Sequence, residues 1–170
     1  FVFHVNDPFI WRSGSEFYER PEGTEVLYVL FTNQNQTYFV GLQIVEYYKS
    51  ASKNLAGIYL AYGGHQLGKI MLYEVPNATQ WLGPTAALDS LKSDNEVRTK
   101  LTLYGYERGE SRFGNILLYS IGGRLYYFIP LYLTRTVMSK MAAIGIVDAS
   151  TGTKVAMGTD AAEAYYRLIG

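Results

Sequence analysis

Residues 114–133, GNILLYSIGGRLYYFIPLYL, carry the strongest pattern in the chain. Two apolar, β-rich runs, 116–119 and 125–129, flank Gly122-Gly123. Adjacent glycines can both take positive φ and match the twist of two strands, so this stretch predicts a tight hairpin. Both runs are nearly continuous rather than alternating, which predicts cover on both faces. Pro130 cannot donate a ladder hydrogen bond, so the second strand should end there or have an edge there.

The remaining pattern predicts strand pairs separated by helices. Residues 1–23, punctuated by Pro8, Gly14, Pro21 and Gly23, read as an irregular arm pinned by Trp11, Phe17 and Tyr18. Residues 24–31 and 37–45 form a hairpin around the polar turn Asn33-Gln34-Asn35-Gln36. Ser50 or Ser52 caps a helix with Leu55, Ile58, Tyr59 and Tyr62 at i, i+3, i+4 and i+7, stopped by Gly63. Residues 69–75 form a strand and 86–92 a short helix. Ser93-Asp94-Asn95-Glu96 reads as a capping box opening a helix with Val97, Leu101 and Tyr104 on one face, and 104–112 is a loop. Residues 141–147 and 154–157 pair around Ser150-Thr151-Gly152, and Thr159 caps a final helix over 160–168. Asp160 and Arg167 complement the dipole of that helix. The expectation is an α+β fold with largely antiparallel sheet and about four helices. It is a single domain over 1–170, whose glycine spacing allows two lobes dividing near residue 110. No repeat or linker stands out.

Composition narrows the function classes. Fifteen Lys and Arg balance fifteen Asp and Glu, and with no basic cluster nucleic acid is not an expected partner. The chain has no cysteine, which excludes a disulfide scaffold, a thiolate zinc site and a cysteine nucleophile. Sixteen tyrosines supply large side chains with polar tips. The first residue is Phe1 and no signal peptide or long apolar run follows, so the sequence reads as an excised or processed piece. Asn35-Gln36-Thr37 and Asn77-Ala78-Thr79 fit the N-glycosylation pattern, weakly supporting export.

Local matches to reactive motifs fail on context. Gly63–Lys69, read as GGHQLGK, has P-loop spacing but ends before Ile70, where magnesium binding needs Ser or Thr. Its order reads helix, loop, strand, so no helix N-terminus faces a phosphate. Ser50-Ala51-Ser52-Lys53 and Ser93-Asp94-Asn95 match fragments of the serine acyl-transferase signature, but no K-T-G strand accompanies them. His4 and His65 lack a second ligand at metal spacing. Glu16, Glu19, Glu22 and Glu25 read as a solvated face, and Glu107 and Glu110 are balanced by Arg108 and Arg112. No catalytic residue, cofactor or metal site is assigned. Exposed aromatic faces leave Trp11 and the candidate ligand-binding residues Trp81, Tyr104 and Tyr106, which would suit a carbohydrate-binding or hydrolytic module.

Several blocks resemble a known family. They are 67–76 (LGKIMLYEVP), Gly83-Pro84, Leu101-Thr102-Leu103, 114–118 (GNILL), 130–133 (PLYL) and Val155-Ala156-Met157 with its alanine-rich final helix; 54–61 matches more loosely. They resemble the C-terminal extracytoplasmic region of uncharacterised protein family 0182, large multi-pass membrane proteins of bacteria and archaea. The similarity covers most of 37–168 and departs in the first 30 residues, where only Trp11 and Glu16-Phe17-Tyr18 look alike. It implies a domain on the extracytoplasmic side of the cell membrane, tethered through transmembrane segments absent here. It carries over no activity or catalytic residue. The expected role is non-catalytic interaction or assembly, with other parts of the full-length membrane protein or cell-surface proteins as partners.

Overall fold

The computed structural model describes residues 17–21, 24–33, 35–48, 52–134 and 139–170. The fold is α+β, with two antiparallel sheets and three α-helices among these residues. Residue contacts group into two compact units, Phe1–Gly83 and Pro84–Gly170.

The first unit is a five-stranded sheet: β1 (Tyr18–Glu19), β2 (Leu27–Asn33), β3 (Gln36–Tyr47), β4 (Leu55–Tyr62) and β5 (Ile70–Glu74). The long β3 carries β2 and β1 along one edge and β4 along the other, with β5 beyond β4. One face buries Val40, Leu60 and Tyr62, flanked by Val29, Phe31, Leu42, Ile58 and Met71. The short β1 replaces part of the expected irregular arm. Tyr18 packs edge-on against Tyr47, and its hydroxyl donates to Glu74 Oε1 at 2.5 Å. Burial and then this hydrogen bond raise the Tyr18 pKa. Trp11 lies outside the described residues.

The largest departure from the sequence expectation is β4, where a helix was predicted. Its register shifts between Val45 and Glu46, so Val45 faces Gly57 while Glu46 faces Leu55, and Ala56 is extra. That bulge turns the two-residue period of a strand into a three-residue step from Leu55 to Ile58, which imitates helical spacing. Gly57 carries the contrary signal. A Cβ there would sit 2.5 Å from the Tyr73 carbonyl oxygen of β5.

The second unit begins with α1 (Pro84–Ser93) and α2 (Asn95–Leu103), followed by β6 (Ser111–Phe113), β7 (Leu117–Ile121) and β8 (Arg124–Leu133). β9 (Lys140–Asp148), β10 (Val155–Gly158) and α3 (Ala161–Ile169) complete it. β7 and β8 form the expected hairpin, with Gly122 and Gly123 at φ 59° and 77°. β8 runs on past Pro130, however. β7 ends its pairing at Phe128 and β6 begins at Leu131, so the missing Pro130 N–H falls in the gap between them. β6 itself occupies part of the expected 104–112 loop.

The helices cover both faces of this sheet. α1 packs on the face of Gly145, where a Cβ would lie 2.4 Å from Leu91 Cδ2. α3 packs on the opposite face through Ala164, over Tyr126, Phe128 and Ile146. α2 is tied to β10 by Lys100 Nζ, which donates to the Met157 carbonyl at 2.9 Å and pairs with Glu96 at 2.7 Å.

Both helix caps sit one residue later than expected. Asp94, not Ser93, caps α2, accepting from the Val97 amide at 2.9 Å, while Ser93 donates to the Asp89 carbonyl. Asp94→Ala is expected to cost about 1 kcal/mol, read by chemical denaturation. Asp160, not Thr159, caps α3. Thr159 instead donates its hydroxyl and amide to the Glu163 carboxylate. Those bonds, then the one from Arg167, hold Glu163 down at about 2. Its stabilising contribution is therefore complete above the ordinary glutamate value of about 4.3 and lost as pH falls from there toward 2. Glu163→Gln is expected to flatten that part of the melting-temperature profile between about pH 5 and 2.

Candidate interaction surface

The nine residues of α3 span about 13 Å, whereas the ten of β8 extend about 33 Å. The helix therefore cannot cover the whole of its face. Beyond Ala161 the face opens into a groove of ≈ 450 Å³. Phe128, Pro130 and Ile144 lie along it, with Leu117 and Tyr119 from β7 and Tyr132 and Met141 from β8 and β9. No charged residue lines it, and its polar side-chain groups are the tyrosine hydroxyls, because Ser120 alternates with Tyr119 and turns its side chain to the other face. Tyr119 packs edge-on against Phe128 at 5.7 Å and is 54% exposed, and Met141 is 41% exposed. Apolar side chains held open on a rigid sheet gain free energy when covered, at about 25 cal/mol per Å².

The first unit also exposes apolar side chains, on the face opposite Val40. Tyr28 and Leu30 on β2 are 72% and 74% exposed. Tyr28 stacks on Phe39 at 6.1 Å, with Gly41 and Ala61 continuing its row toward Ile70.

The residues singled out from the sequence fall in different units. Trp81 belongs to the first unit, half-buried, and its carbonyl accepts from the Leu55 amide. Tyr104 and Tyr106 belong to the second. Tyr104 closes α2, and Tyr106 packs against Phe113 at 5.1 Å. Tyr106 lines a separate hollow of ≈ 530 Å³ with Lys92, Asn95, Arg98 and Glu107. The groove residues Tyr119, Tyr132 and Met141 were not singled out. Their openness depends on how far α3 reaches, which no local pattern encodes.

The motif fragments resolve into ordinary structure. Gly63–Lys69 joins two strands through a 3-10 turn, with His65 exposed, so strand–turn–strand replaces the expected helix–loop–strand. Ser50 lies outside the described residues. Lys53 lies 2.6 Å from Glu19, whose hydrogen bond holds it above the ordinary lysine range, the opposite of a neutral base. Glu110 lies 3.9 Å from Arg108. Asn35 is exposed at the β2–β3 turn. His4 lies outside the described residues, and among those described no three His, Asp or Glu side chains gather as a metal site. Nor is any described helix long and apolar enough to cross a membrane.

No protein-family model and no solved structure matches the chain. Curated relatives do. A UPF0182 protein of Paenarthrobacter aurescens is 32% identical over 107 residues, 63% of this chain and 11% of the relative. One of Synechococcus elongatus is 26% identical over 157 residues, 87% of this chain and 16% of the relative. One of Clostridium acetobutylicum is 22% identical over 177 residues, 98% of this chain and 20% of the relative. The chain thus spans a fifth or less of the length of these relatives, and its similarity to them over much of its own length supports membership of the UPF0182 family.

Proposed function

We propose that this segment is an extracytoplasmic interaction domain of a multi-pass membrane protein, and that its groove docks another segment of the same polypeptide. The observation that carries this is the uncharged, tyrosine-walled groove beside α3. An open apolar groove on a rigid sheet is a surface suited to assembly. The relatives supply the occupant, since most of their length lies outside the matched stretch.

The absence of cysteine makes the test clean within this domain. Tyr119→Cys reports on the groove and Lys154→Cys on an exposed position remote in sequence from it. In intact cells carrying the full-length protein, a membrane-impermeant maleimide should label Lys154→Cys. It should label Tyr119→Cys at least roughly tenfold more slowly than in the isolated domain. Labelling of Lys154→Cys only after permeabilisation would contradict the location, and equal rates at Tyr119→Cys would contradict docking.

A further inference from the structure

We infer that the two sheets are copies of one five-stranded module, and that the first copy displays how the groove of the second is filled: by an extended segment paired to the edge of β9. The inference rests on the docking reading above and specifies its geometry.

Both units use the same plan. A long strand carries two short strands end to end on one edge, a third strand on the other, and a last strand beyond. Leu42 lies between Leu27 and Leu60, as Phe128 lies between Leu117 and Ile146. Val45 faces Gly57 and Leu131 faces Ala143, 86 residues further on in each case. The bulge recurs at the same offset, Glu46 facing Leu55 and Tyr132 facing Met141, with Ala56 and Ala142 the extra residues. A shared bulge, register and hairpin length make coincidence a poor account. The repeat is hidden in sequence because, over 36–62 and 122–148 at this offset, only Ala56 with Ala142 and Ile58 with Ile144 are identical.

The copies differ at one edge. In the first, Trp81–Gly83 returns along the outer edge of β4. The Leu55 amide donates to the Trp81 carbonyl and the Gly83 amide to the Lys53 carbonyl, both at 2.8 Å, around an antiparallel Asn54–Leu82 bridge. Gly83 is pressed against Glu46, where a Cβ would lie 2.5 Å from Cγ. In the second copy β10 stops at Gly158, opposite Ile144. The atoms equivalent to that pairing are the Met141 amide and the Ser139 carbonyl, and nothing among the described residues extends β10 to them. Tyr132 replaces Glu46, and the open groove lies beside it. The occupant is therefore an extended segment, antiparallel to residues 139–141, that accepts from Met141, donates to Ser139 and lays an apolar side chain over Tyr132. Its source is the part of the family polypeptide outside these residues.

Hydrogen exchange resolved at the Met141 amide, combined with Tyr119→Cys labelling, tests this in the full-length protein against the isolated domain. The inference expects both Met141 exchange and Tyr119→Cys labelling to slow by roughly tenfold or more in the full-length protein. A protected Tyr119→Cys with unchanged Met141 exchange would overturn strand pairing and leave the docking reading standing. A protected Met141 amide with Tyr119→Cys still open would overturn occupation of the groove. No change in either overturns both.

Discussion

Gly145→Val is expected to destabilise the second unit by about 1–3 kcal/mol, because overpacking a filled core forces side chains off their rotamers. A Cβ at this position already lies 2.4 and 2.7 Å from the two Leu91 methyl carbons. Leu91 is fully buried and has nowhere to retreat, with Ala87 buried on the same helix. The reverse change, Leu91→Ala, is expected to cost about 2–5 kcal/mol through lost burial and the cavity left behind. Combined, the two should cost less than the sum of the separate effects by about 0.5–3 kcal/mol, since each relieves the other. Denaturant unfolding of the four proteins measures this. Strict additivity would mean that Leu91 does not seat on Gly145.

The second large effect concerns the groove. Met141→Asp should leave the isolated domain folded, because the side chain is substantially exposed and such changes usually stay within about 0.5 kcal/mol. In the full-length protein the same change would place a carboxylate under the docked segment, at a penalty of several kcal/mol for the buried ion, on the order of a hundredfold or more in occupancy. The expected result is that Tyr119→Cys labels in this background as fast as in the isolated domain. Continued protection would place the docking surface elsewhere, the exposed Tyr28–Phe39 face of the first sheet being the next candidate.

The features that were legible in the sequence are those set by neighbouring residues. Gly122-Gly123 between apolar runs gave the β7–β8 hairpin, and the α2 and α3 starts were found to within a residue. The one-residue error has a simple source: Ser93 and Asp94 can both cap, and the carboxylate won while Ser93 turned back to Asp89. The helix expected at 54–62 failed because a bulge is a property of two strands. Ala56 is extra only relative to β3, and from β4 alone the step from Leu55 to Ile58 reads as a helical turn. Gly57 was the available warning, since glycine inside a helix costs about 1 kcal/mol.

The candidate site was less legible. Trp81, Tyr104 and Tyr106 stand out in sequence as aromatics near loops, yet Trp81 serves a strand edge and Tyr104 a helix end. The groove draws its residues from β7, β8 and β9, and its openness follows from the short reach of α3. The repeat was hidden for a related reason. What recurs is register and the position of a bulge, and apolar residues exchange freely within that frame, as Val40 with Tyr126 and Leu42 with Phe128.

The most direct measurement is photocrosslinking from the groove in the full-length membrane protein, with p-benzoylphenylalanine at Tyr119 and the joined peptides identified by mass spectrometry. The account expects one dominant crosslink to a segment of the same polypeptide outside these 170 residues. Crosslinks only to lipid, only to other proteins, or no crosslink at all would contradict it.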